Sequence, residues 1–337
     1  MINTLYIGID VSKDKLDIAI TQDGRQIIST AIFENTVTGH KKLFLWAKKY
    51  SKGFSQIHFC IEATGIYHEE IAEYLQEQSK TIVSIINPFK SKSFGNSKLL
   101  RTKNDKVDAA LLACYCAISR PEKTIKTKEE VKKLRSLVRF LNTQISARAK
   151  EKTRLHSCKD NNVADVLKGT IQFLSQSIAR IEKIIKNHIK KYPQLKHQLE
   201  LLKTIPGISD KTAYEILAEL HIEDGKTLNS KSQVAHAGLA PREYQSGSSV
   251  HGKPRICKTG NKRLRKALYM PAMSSIRYNK QLSEFYQRLV SKGKIKKVAL
   301  VAVMRKLLVL AVAILNSGKP YEENWTQKHQ ENFTIAS

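Results

Sequence analysis

The sequence predicts an α/β domain at the N-terminus, a long helical segment in the middle and a mainly α-helical domain at the C-terminus. Up to about residue 125, apolar strand patterns alternate with helical patterns, as in layered α/β architectures. Residues 127–195 are rich in Lys, Glu, Arg, Leu and Ile and contain one glycine, which favours long helices. We therefore expect domains at 1–125, 126–195 and 196–321, followed by a loosely ordered tail at 322–337.

The N-terminal domain begins with three predicted strands that are joined by tight turns, one of them at Asp23-Gly24. Helices and buried strands then alternate, and Asn87-Pro88 ends the last strand. This order fits a ribonuclease-H-like fold and leaves several other α/β folds open. The predicted strands are 5–12, 16–22, 25–34, 57–63 and 81–86, and the predicted helices are 38–49, 68–78 and 105–118.

Apolar residues in the middle segment follow a heptad pattern. Ile171, Leu174, Ile178, Ile181 and Ile185 are spaced 3, 4, 3 and 4 residues apart, and this spacing is typical of a coiled-coil seam. The same pattern occurs upstream, and "KDNN" at residues 159–162 interrupts it. The pattern predicts either two long helices folded as a hairpin or a dimerising coiled coil, and the seam alone does not separate the two.

The segment "LLKTIPGISDKTAYEILAEL", residues 201–220, resembles a helix-hairpin-helix. It has an apolar helix end, a Pro-Gly turn and a second helix that Ser209 would cap. Such a turn can present backbone N–H groups to a phosphate, and the alternative is an ordinary packing unit of two helices.

The charge balance indicates a polyanionic partner. The chain has 337 residues, with 58 Lys and Arg against 30 Asp and Glu, a net charge of +28. Nucleic acid is the first interpretation and a membrane surface a distant second. Between Tyr244 and Tyr321, Glu284 is the one acidic residue against 17 basic ones. The candidate nucleic-acid-binding residues are Lys253, Arg255, Lys258, Lys262, Arg263, Arg265 and Lys266, and phosphate contacts of this kind make binding strongly salt-dependent.

Two further features of the sequence bear on where in the cell the protein is found. The apolar stretch Val298–Leu315 is interrupted by Arg305 and Lys306, which predicts a buried core helix and not a membrane span. The five scattered cysteines suit reduced thiols. We expect a cytoplasmic protein, associated with the nucleoid if its partner is DNA.

Four carboxylates form the candidate catalytic set. Asp10 lies within an apolar strand, Glu62 ends another strand, and Asp105 and Asp108 share one face of a helix. Each alone has an ordinary explanation, either as a strand end or as a complement to the helix dipole. Together they suit Mg²⁺ or Mn²⁺, because these ions prefer hard oxygen ligands. Two such ions can clamp the oxygens of a phosphodiester.

Six strings of the sequence, in order, resemble the insertion sequence 110 family of transposases. The resemblance runs from Tyr6 to about Ser317. Members usually have Thr before the third acid, where this chain has Asn104. The strings are "YIGIDVSKDKLDIAI", "IEATG", "NDKVDAALLA", "TIPGIS", "GLAPREYQSG" and "KTGNKRLRKALYMPA".

The resemblance implies a RuvC-like domain with an Asp-Glu-Asp-Asp tetrad on Asp10, Glu62, Asp105 and Asp108. It implies a nucleophilic serine in the "QSG" motif, which is Ser246, whereas Ser248 and Ser249 would be ordinary loop residues. It also implies that the protein recombines the DNA ends of its own element with a target DNA, and that a structured bridge RNA guides this reaction. A homo-oligomer, dimer or tetramer, is expected.

A covalent phosphoserine intermediate would conserve the phosphodiester bond without ATP, and the sequence contains no GxxxxGK[ST] phosphate loop. Because 138 positions separate Asp108 from Ser246, we hypothesise a composite site that is assembled from both domains, either within one chain or across subunits. One alternative is a RuvC-like junction nuclease that uses the same acids and water. The other is a non-catalytic nucleic-acid-binding protein.

Overall fold

The computed structural model describes residues 3–63, 65–98, 104–220, 227–246 and 250–323. The chain forms two compact units, Met1–Lys126 and Thr127–Ser337. The first combines a mixed sheet with helices and the second is mostly helical, as the sequence predicts.

The first unit is built on a five-stranded sheet of order β3-β2-β1-β4-β5. Strands β1, β2 and β3 are antiparallel neighbours, whereas β4 runs parallel to β1 and β5 parallel to β4. This order is consistent with a RuvC-like domain of the ribonuclease-H-like class. The strands are β1 Thr4–Val11, β2 Lys15–Thr21, β3 Ile27–Glu34, β4 Gln56–Glu62 and β5 Thr81–Ile86, and the helices are α1 Val37–Tyr50, α2 Glu69–Gln76, α3 Pro88–Ser97 and α4 Asp105–Ser119.

Each predicted element of this unit is present, and the sequence analysis missed one helix, α3. Asn87 and Pro88 were interpreted as a strand terminator, but they also begin α3. The Asn87 side chain accepts a hydrogen bond from the Phe89 N–H at 2.8 Å, and proline occupies the first helical position, where its missing N–H has no effect.

The two faces of the sheet carry different side chains because successive residues of a strand point to opposite sides. On one face, Ile7, Ile9 and Phe59 form a fully buried core with Leu43 of α1 and Leu75 of α2. Helix α4 covers the other face, where the strands present small or polar side chains.

Gly8 permits the contact between β1 and α4. A Cβ atom at this position would collide with the Ala109 carbonyl oxygen and the Ala113 nitrogen, both backbone atoms of α4. Ala19, Ala109 and Ala113 are fully buried beside it. The helix therefore lies closer to the sheet than any side chain at position 8 would allow.

The second unit begins with two long helices, α5 Glu129–Ser157 and α6 Asn161–Lys191, which pack against each other within the chain. Of the predicted seam, Leu134, Val138 and Leu141 of α5 are buried, as are four residues of α6. The hairpin interpretation therefore describes the single chain. The buried seam residues of α6 are Leu174, Ile178, Ile181 and Ile185.

The remaining helices pack on the base of this hairpin and share one hydrophobic core with it. The unit also contains a β-hairpin that was not predicted from the sequence. The elements are α7 Pro193–Lys203, α8 Asp210–Glu219, α9 Ser230–His236, β6 Pro241–Ser246, β7 Val250–Ile256, α10 Lys262–Ala267, α11 Tyr269–Tyr278, α12 Lys280–Ser291 and α13 Lys296–Ser317.

Among the described residues, α13 is the one helix long and apolar enough to cross a membrane by length and composition. Val303, Leu307, Leu308 and Ala311 of this helix are nevertheless buried in the core of the second unit. These contacts are those of the core helix that the sequence predicts.

Replacing Gly8 with Ala should push α4 away from the sheet and lower the free energy of unfolding of the first unit by about 1–3 kcal/mol, because the clash is with backbone atoms. Urea unfolding of the full chain measures this. The control is Gly169→Ala in α6, where a Cβ would meet nothing within 4 Å. That variant should gain about 0.5–1 kcal/mol through helix propensity. Equal stability of Gly8→Ala and wild type would contradict the packing argument.

Candidate active site

Two of the four predicted carboxylates lie side by side at one edge of the sheet. Strands β1 and β4 are parallel, and Ile9 is paired with Ile61, so Asp10 and Glu62 follow at the same level. Both belong to the face that α4 covers, since Gly8 and Cys60 alternate with the buried core residues of the opposite face. Active-site groups commonly gather at this carboxyl end of parallel strands.

Helix α4 supplies the other two carboxylates from its first turn, where Asp105 and Asp108 lie. Asn104 fixes the start of the helix, because its side chain accepts a hydrogen bond from the Val107 N–H at 2.8 Å. Thr, the residue that the family resemblance implies at this position, can cap a helix in the same way. The close contact over Gly8 then holds this turn beside β1.

Burial and the other three acids of the set both affect the pKa of Asp10. It is raised from 3.8 to about 6, first by burial and then by the negative charges of Asp108, Asp105, Glu62 and Asp17. Each of these carboxylates disfavours ionisation of Asp10. The other three predicted acids therefore lie close enough to Asp10 to act on it electrostatically.

The donor set fits a divalent cation in its chemistry, although its atoms are not drawn together. Within the described ranges, no three His, Cys, Asp or Glu side chains are close enough to hold a metal ion. Burial and neighbouring negative charges nevertheless raise the pKa of Asp10, and a bound cation would offset both effects. Asp10, Glu62, Asp105 and Asp108 are the residues that would hold Mg²⁺ or Mn²⁺.

Ser91 of α3 positions Glu62, and sequence reasoning did not find it. Its hydroxyl lies 2.5 Å from Glu62 Oε2 and donates to this oxygen, and the Pro88 carbonyl oxygen is 3.0 Å away. Ser91 is 4% exposed, so this contact is shielded from water. A serine in a lysine-rich stretch carries no signal for this role.

Lys15 and Asp17 of β2 also belong to the site and were missed. The Lys15 ammonium group lies 2.6 Å from Asp105 Oδ2 and 3.1 Å from Asp17 Oδ2. Hydrogen bonds to these two carboxylates raise the pKa of Lys15, and the bond from Lys15 lowers the pKa of Asp105. An aspartate inside the apolar string "LDIAI" was the available signal, and it is the same signal that identified Asp10.

Asn35 is hydrogen-bonded to both of the turns that follow β1 and β4. Its side-chain amide donates to the Ser12 carbonyl at 3.0 Å and to the Tyr67 carbonyl at 3.1 Å. The Asn35 carbonyl oxygen is 2.9 Å from His40 Nε2. This network ties the segments beyond Asp10 and Glu62 to α1, which rests on the hydrophobic core.

Ser246, the predicted nucleophile, ends β6 in the second unit. It is paired with Val250 of β7, and the segment 247–249 that joins the two strands, including Ser248 and Ser249, lies outside the described residues. The serine therefore lies at the tip of a two-stranded antiparallel ribbon.

A buried charged network fixes Asn261, the residue that precedes α10. Glu219 of α8 accepts hydrogen bonds from Arg139 of α5 at 2.8 and 2.9 Å and from the Asn261 amide at 2.7 Å. Burial alone would raise the pKa of Glu219, but these bonds hold it below its ordinary value. The Asn261 carbonyl oxygen in turn caps α10 by accepting from the Arg263 and Leu264 N–H groups.

The predicted basic residues lie on β7, on the segment after it and on α10. Arg255, Lys258, Lys262, Arg263 and Lys266 are exposed, as phosphate contact requires, and Lys253 lies within β7. Arg265 differs, because it is half-buried and its guanidinium group donates to the Ala237 carbonyl at 2.8 Å. This residue therefore helps to hold α10 in place.

Comparison with known proteins gives a consistent result along the chain. Residues 7–161 match a family described as a transposase of the DEDD IS110 type, and residues 199–287 match the transposase IS116/IS110/IS902 family. The chain is 35% identical over 321 residues to the pilin gene-inverting protein of Moraxella bovis, covering 94% of this chain and 98% of that protein. It is 36% identical over 322 residues to the pilin gene-inverting protein of Moraxella lacunata, with the same coverage of each chain.

The charge of Asp10 should make the metal-free protein less stable as the pH rises. Because the folded pKa is about 6, above the ordinary value, the stabilisation from protonated Asp10 is complete below about pH 4 and is lost as the pH passes 6. Asp10→Asn should remove this dependence and gain about 1–2 kcal/mol over wild type at pH 8, after allowance for solvent screening.

Urea unfolding in EDTA at pH 5 and pH 8 tests this expectation, and added Mg²⁺ should restore stability to wild type at pH 8 but much less to Asp10→Asn. Asp14→Asn is the matched control, since Asp14 is an exposed acid in the next turn. If wild type and Asp10→Asn lose stability in parallel between the two pH values, the repulsion at Asp10 is absent.

Proposed function

Because the chain belongs to the IS110 family of transposases, we propose that it cuts and rejoins DNA through a covalent phosphoserine on Ser246, assisted by a divalent cation and guided by a structured RNA. The observation that carries the metal-assisted part is the group of four carboxylates around Asp10. The two pilin gene-inverting relatives are named for inverting a gene, and DNA inversion needs strands that are rejoined as well as cut.

Ser246 is the proposed nucleophile. Its hydroxyl oxygen attacks the phosphorus of one phosphodiester, which forms a Ser–O–P bond, breaks the P–O bond to one sugar and leaves a hydroxyl on the released strand end. The serine proton passes to a base, and a proton reaches the leaving oxygen. A hydroxyl from a second DNA end then attacks the phosphoserine and frees the enzyme. The number of phosphodiester bonds is unchanged, so no ATP is needed.

The tetrad Asp10, Glu62, Asp105 and Asp108 has the complementary role of holding Mg²⁺ or Mn²⁺. A cation bound there would stabilise negative charge on the phosphate oxygens in the transition state. Ser91 keeps the Glu62 carboxylate in a fixed direction for this purpose. A bound cation would offset the burial and the neighbouring negative charges that raise the pKa of Asp10.

The exposed cations around α10 are the proposed contacts to the nucleic-acid backbone. Lys262, Arg263 and Lys266 lie on one short helix whose start is fixed by Asn261. Rigid placement of cations lowers the entropy lost on binding phosphate. Arg265 supports this surface from inside through its bond to Ala237.

The α7–α8 turn is a weaker candidate for a helix-hairpin-helix contact to DNA. Ser209 caps α8, as expected for such a motif, and the Gly207 backbone has a φ of +101°. However, Ser275 of α11 donates to the Pro206 carbonyl at 2.9 Å, and Asp210 forms an ion pair with Lys203 at 3.1 Å. These contacts favour a packing role for the turn.

A homo-oligomer, dimer or tetramer, is proposed on the distal half of the α5–α6 hairpin. Val163, Val166 and Phe173 of α6 lie in this half and are 51%, 70% and 68% exposed. Apolar side chains of this size on an exposed helix surface favour contact with another helix. The coiled-coil interpretation of the heptads would then apply between chains as well as within one.

A trapping experiment tests the serine chemistry. Reactions with a DNA substrate, quenched in denaturant, should retain DNA covalently on wild-type protein, lose it in Ser246→Ala and keep it in the matched control Ser248→Ala. Adduct should also fall by about 10²-fold or more in Asp108→Ala, because the stabilising charge is lost. Strand cleavage without an adduct would favour a RuvC-like nuclease that uses water, and an inactive protein with intact binding would favour a non-catalytic role.

The guide RNA has a separate test. Nucleic acid that copurifies with the expressed protein should contain one structured RNA in place of a random sample of cellular RNA, and sequencing identifies it. Lys262→Ala combined with Arg263→Ala should reduce the recovered nucleic acid and flatten the salt dependence of its binding by about one to two units of slope. Recovery of unselected RNA alone would leave DNA as the specific partner.

A further inference from the structure

The set of carboxylates around Asp10 already includes a cation, which is the ammonium group of Lys15. It lies 2.6 Å from Asp105 Oδ2 and 3.1 Å from Asp17 Oδ2. Neither Lys15 nor Asp17 has a part in the chemistry proposed above, yet both lie where that chemistry would occur.

The two partners of Lys15 differ in their surroundings. The Asp17 side chain is 7% exposed and that of Asp105 is 53% exposed. Asp17 is the direct neighbour of Asp10 across the antiparallel β1–β2 pair, so both side chains lie on the face that α4 covers. A buried carboxylate needs a lasting partner, whereas an exposed one can exchange its partner.

Lys15 and Asp17 are two residues apart on one strand and therefore point to the same side of the sheet. Their ion pair is local to β2 and does not depend on α4. The pair with Asp105, in contrast, links β2 to the first turn of α4, and it engages an oxygen that a metal ion would need.

We propose that Lys15 is a built-in competitor for the metal site, which occupies Asp105 in the metal-free protein and withdraws to Asp17 alone when a divalent cation binds. This inference rests on the proposed role of the tetrad as metal ligands. Lys15 is a positioning residue in this scheme, because it acts on Asp105 and touches no reacting atom. Its long flexible stem allows the exchange, and Asp17 prevents the ammonium group from being left unpaired.

The competition has two consequences of opposite sign. Removing the charge of Lys15 leaves Asp17 buried without its cation, so the metal-free protein loses stability. The same removal frees Asp105 and adds to the negative field at the site, so the metal ion binds more tightly. A residue with a purely structural role would not tighten metal binding when it is removed.

Titration of metal-free, full-length protein with Mn²⁺ by calorimetry tests the proposal without any assay of activity. Lys15→Met should bind Mn²⁺ about three- to fivefold more tightly than wild type, the upper range for a competing surface ion pair. Its metal-free thermal midpoint in EDTA should be lower, and added Mn²⁺ should raise the midpoint by more than in wild type. Lys15→Gln provides a second neutral variant if Lys15→Met does not fold.

Lys13→Met is the matched control, because it removes the same charge from an exposed position in the same turn. It should stay within about twofold of wild type, since surface charges separated by solvent are screened. Lys15→Arg keeps the charge and should resemble wild type in both measurements.

The outcomes separate this inference from the proposed function. Tighter binding by the neutral Lys15 variants than by Lys13→Met supports it, including the case in which wild type itself binds no Mn²⁺. Detectable binding by wild type with equal or weaker binding by the neutral Lys15 variants overturns the competitor role and leaves the tetrad as a metal site. Absence of binding in every variant at millimolar Mn²⁺ overturns both.

Discussion

The contact between strand β1 and helix α4 is the constraint on which the candidate site depends. Gly8 removes the side chain that would otherwise separate them, and the alanines at 19, 109 and 113 keep the space narrow. The first turn of α4 is thereby held over the end of β1. Two acids from a helix and two from parallel strands come within electrostatic range of one another because the sheet and the helix pack closely.

The two units treat buried carboxylates in different ways. In the second unit, the Glu219 carboxylate accepts hydrogen bonds from Arg139 and Asn261, and these bonds fix the start of α10. In the first unit, Asp10 lies among carboxylates, and Lys15 compensates the charges of Asp17 and Asp105. Uncompensated charge disfavours the folded state of an isolated protein, and its retention at a strand end is typical of a site that recruits a cation or a phosphate.

Much of the first unit could be predicted from the sequence because its strands are buried on one face and packed on a helix on the other. Alternation and turn signals predicted the strand positions, and the placement of Asp10 within one strand and of Glu62 at the end of another predicted the candidate site. Helix α3 was missed because its lysines and serines have no strong apolar periodicity, although Asn87 and Pro88 carry a helix-start signal. The β6–β7 ribbon was missed because it has few β-branched residues.

The roles of Ser91, Lys15 and Asp17 could not be read from the sequence, because they depend on which face of the sheet α4 covers and on where α3 lies. Spacing along the chain identifies acids that share a helix face, but it does not identify a lysine 90 residues away that binds one of them. The different role of Arg265 has the same origin, since its carbonyl partner lies 28 residues away in sequence.

The α5–α6 hairpin forms an arm of defined length, which can be compared with the length of a DNA duplex. Helices of 29 and 31 residues extend about 45 Å at about 1.5 Å per residue, which equals about 13 base pairs of duplex DNA at 3.4 Å each. Loss of one heptad from each helix would keep the buried seam in register and shorten the arm by about 10 Å, or about three base pairs. The arm can therefore change in reach in steps of about three base pairs while its packing pattern is preserved.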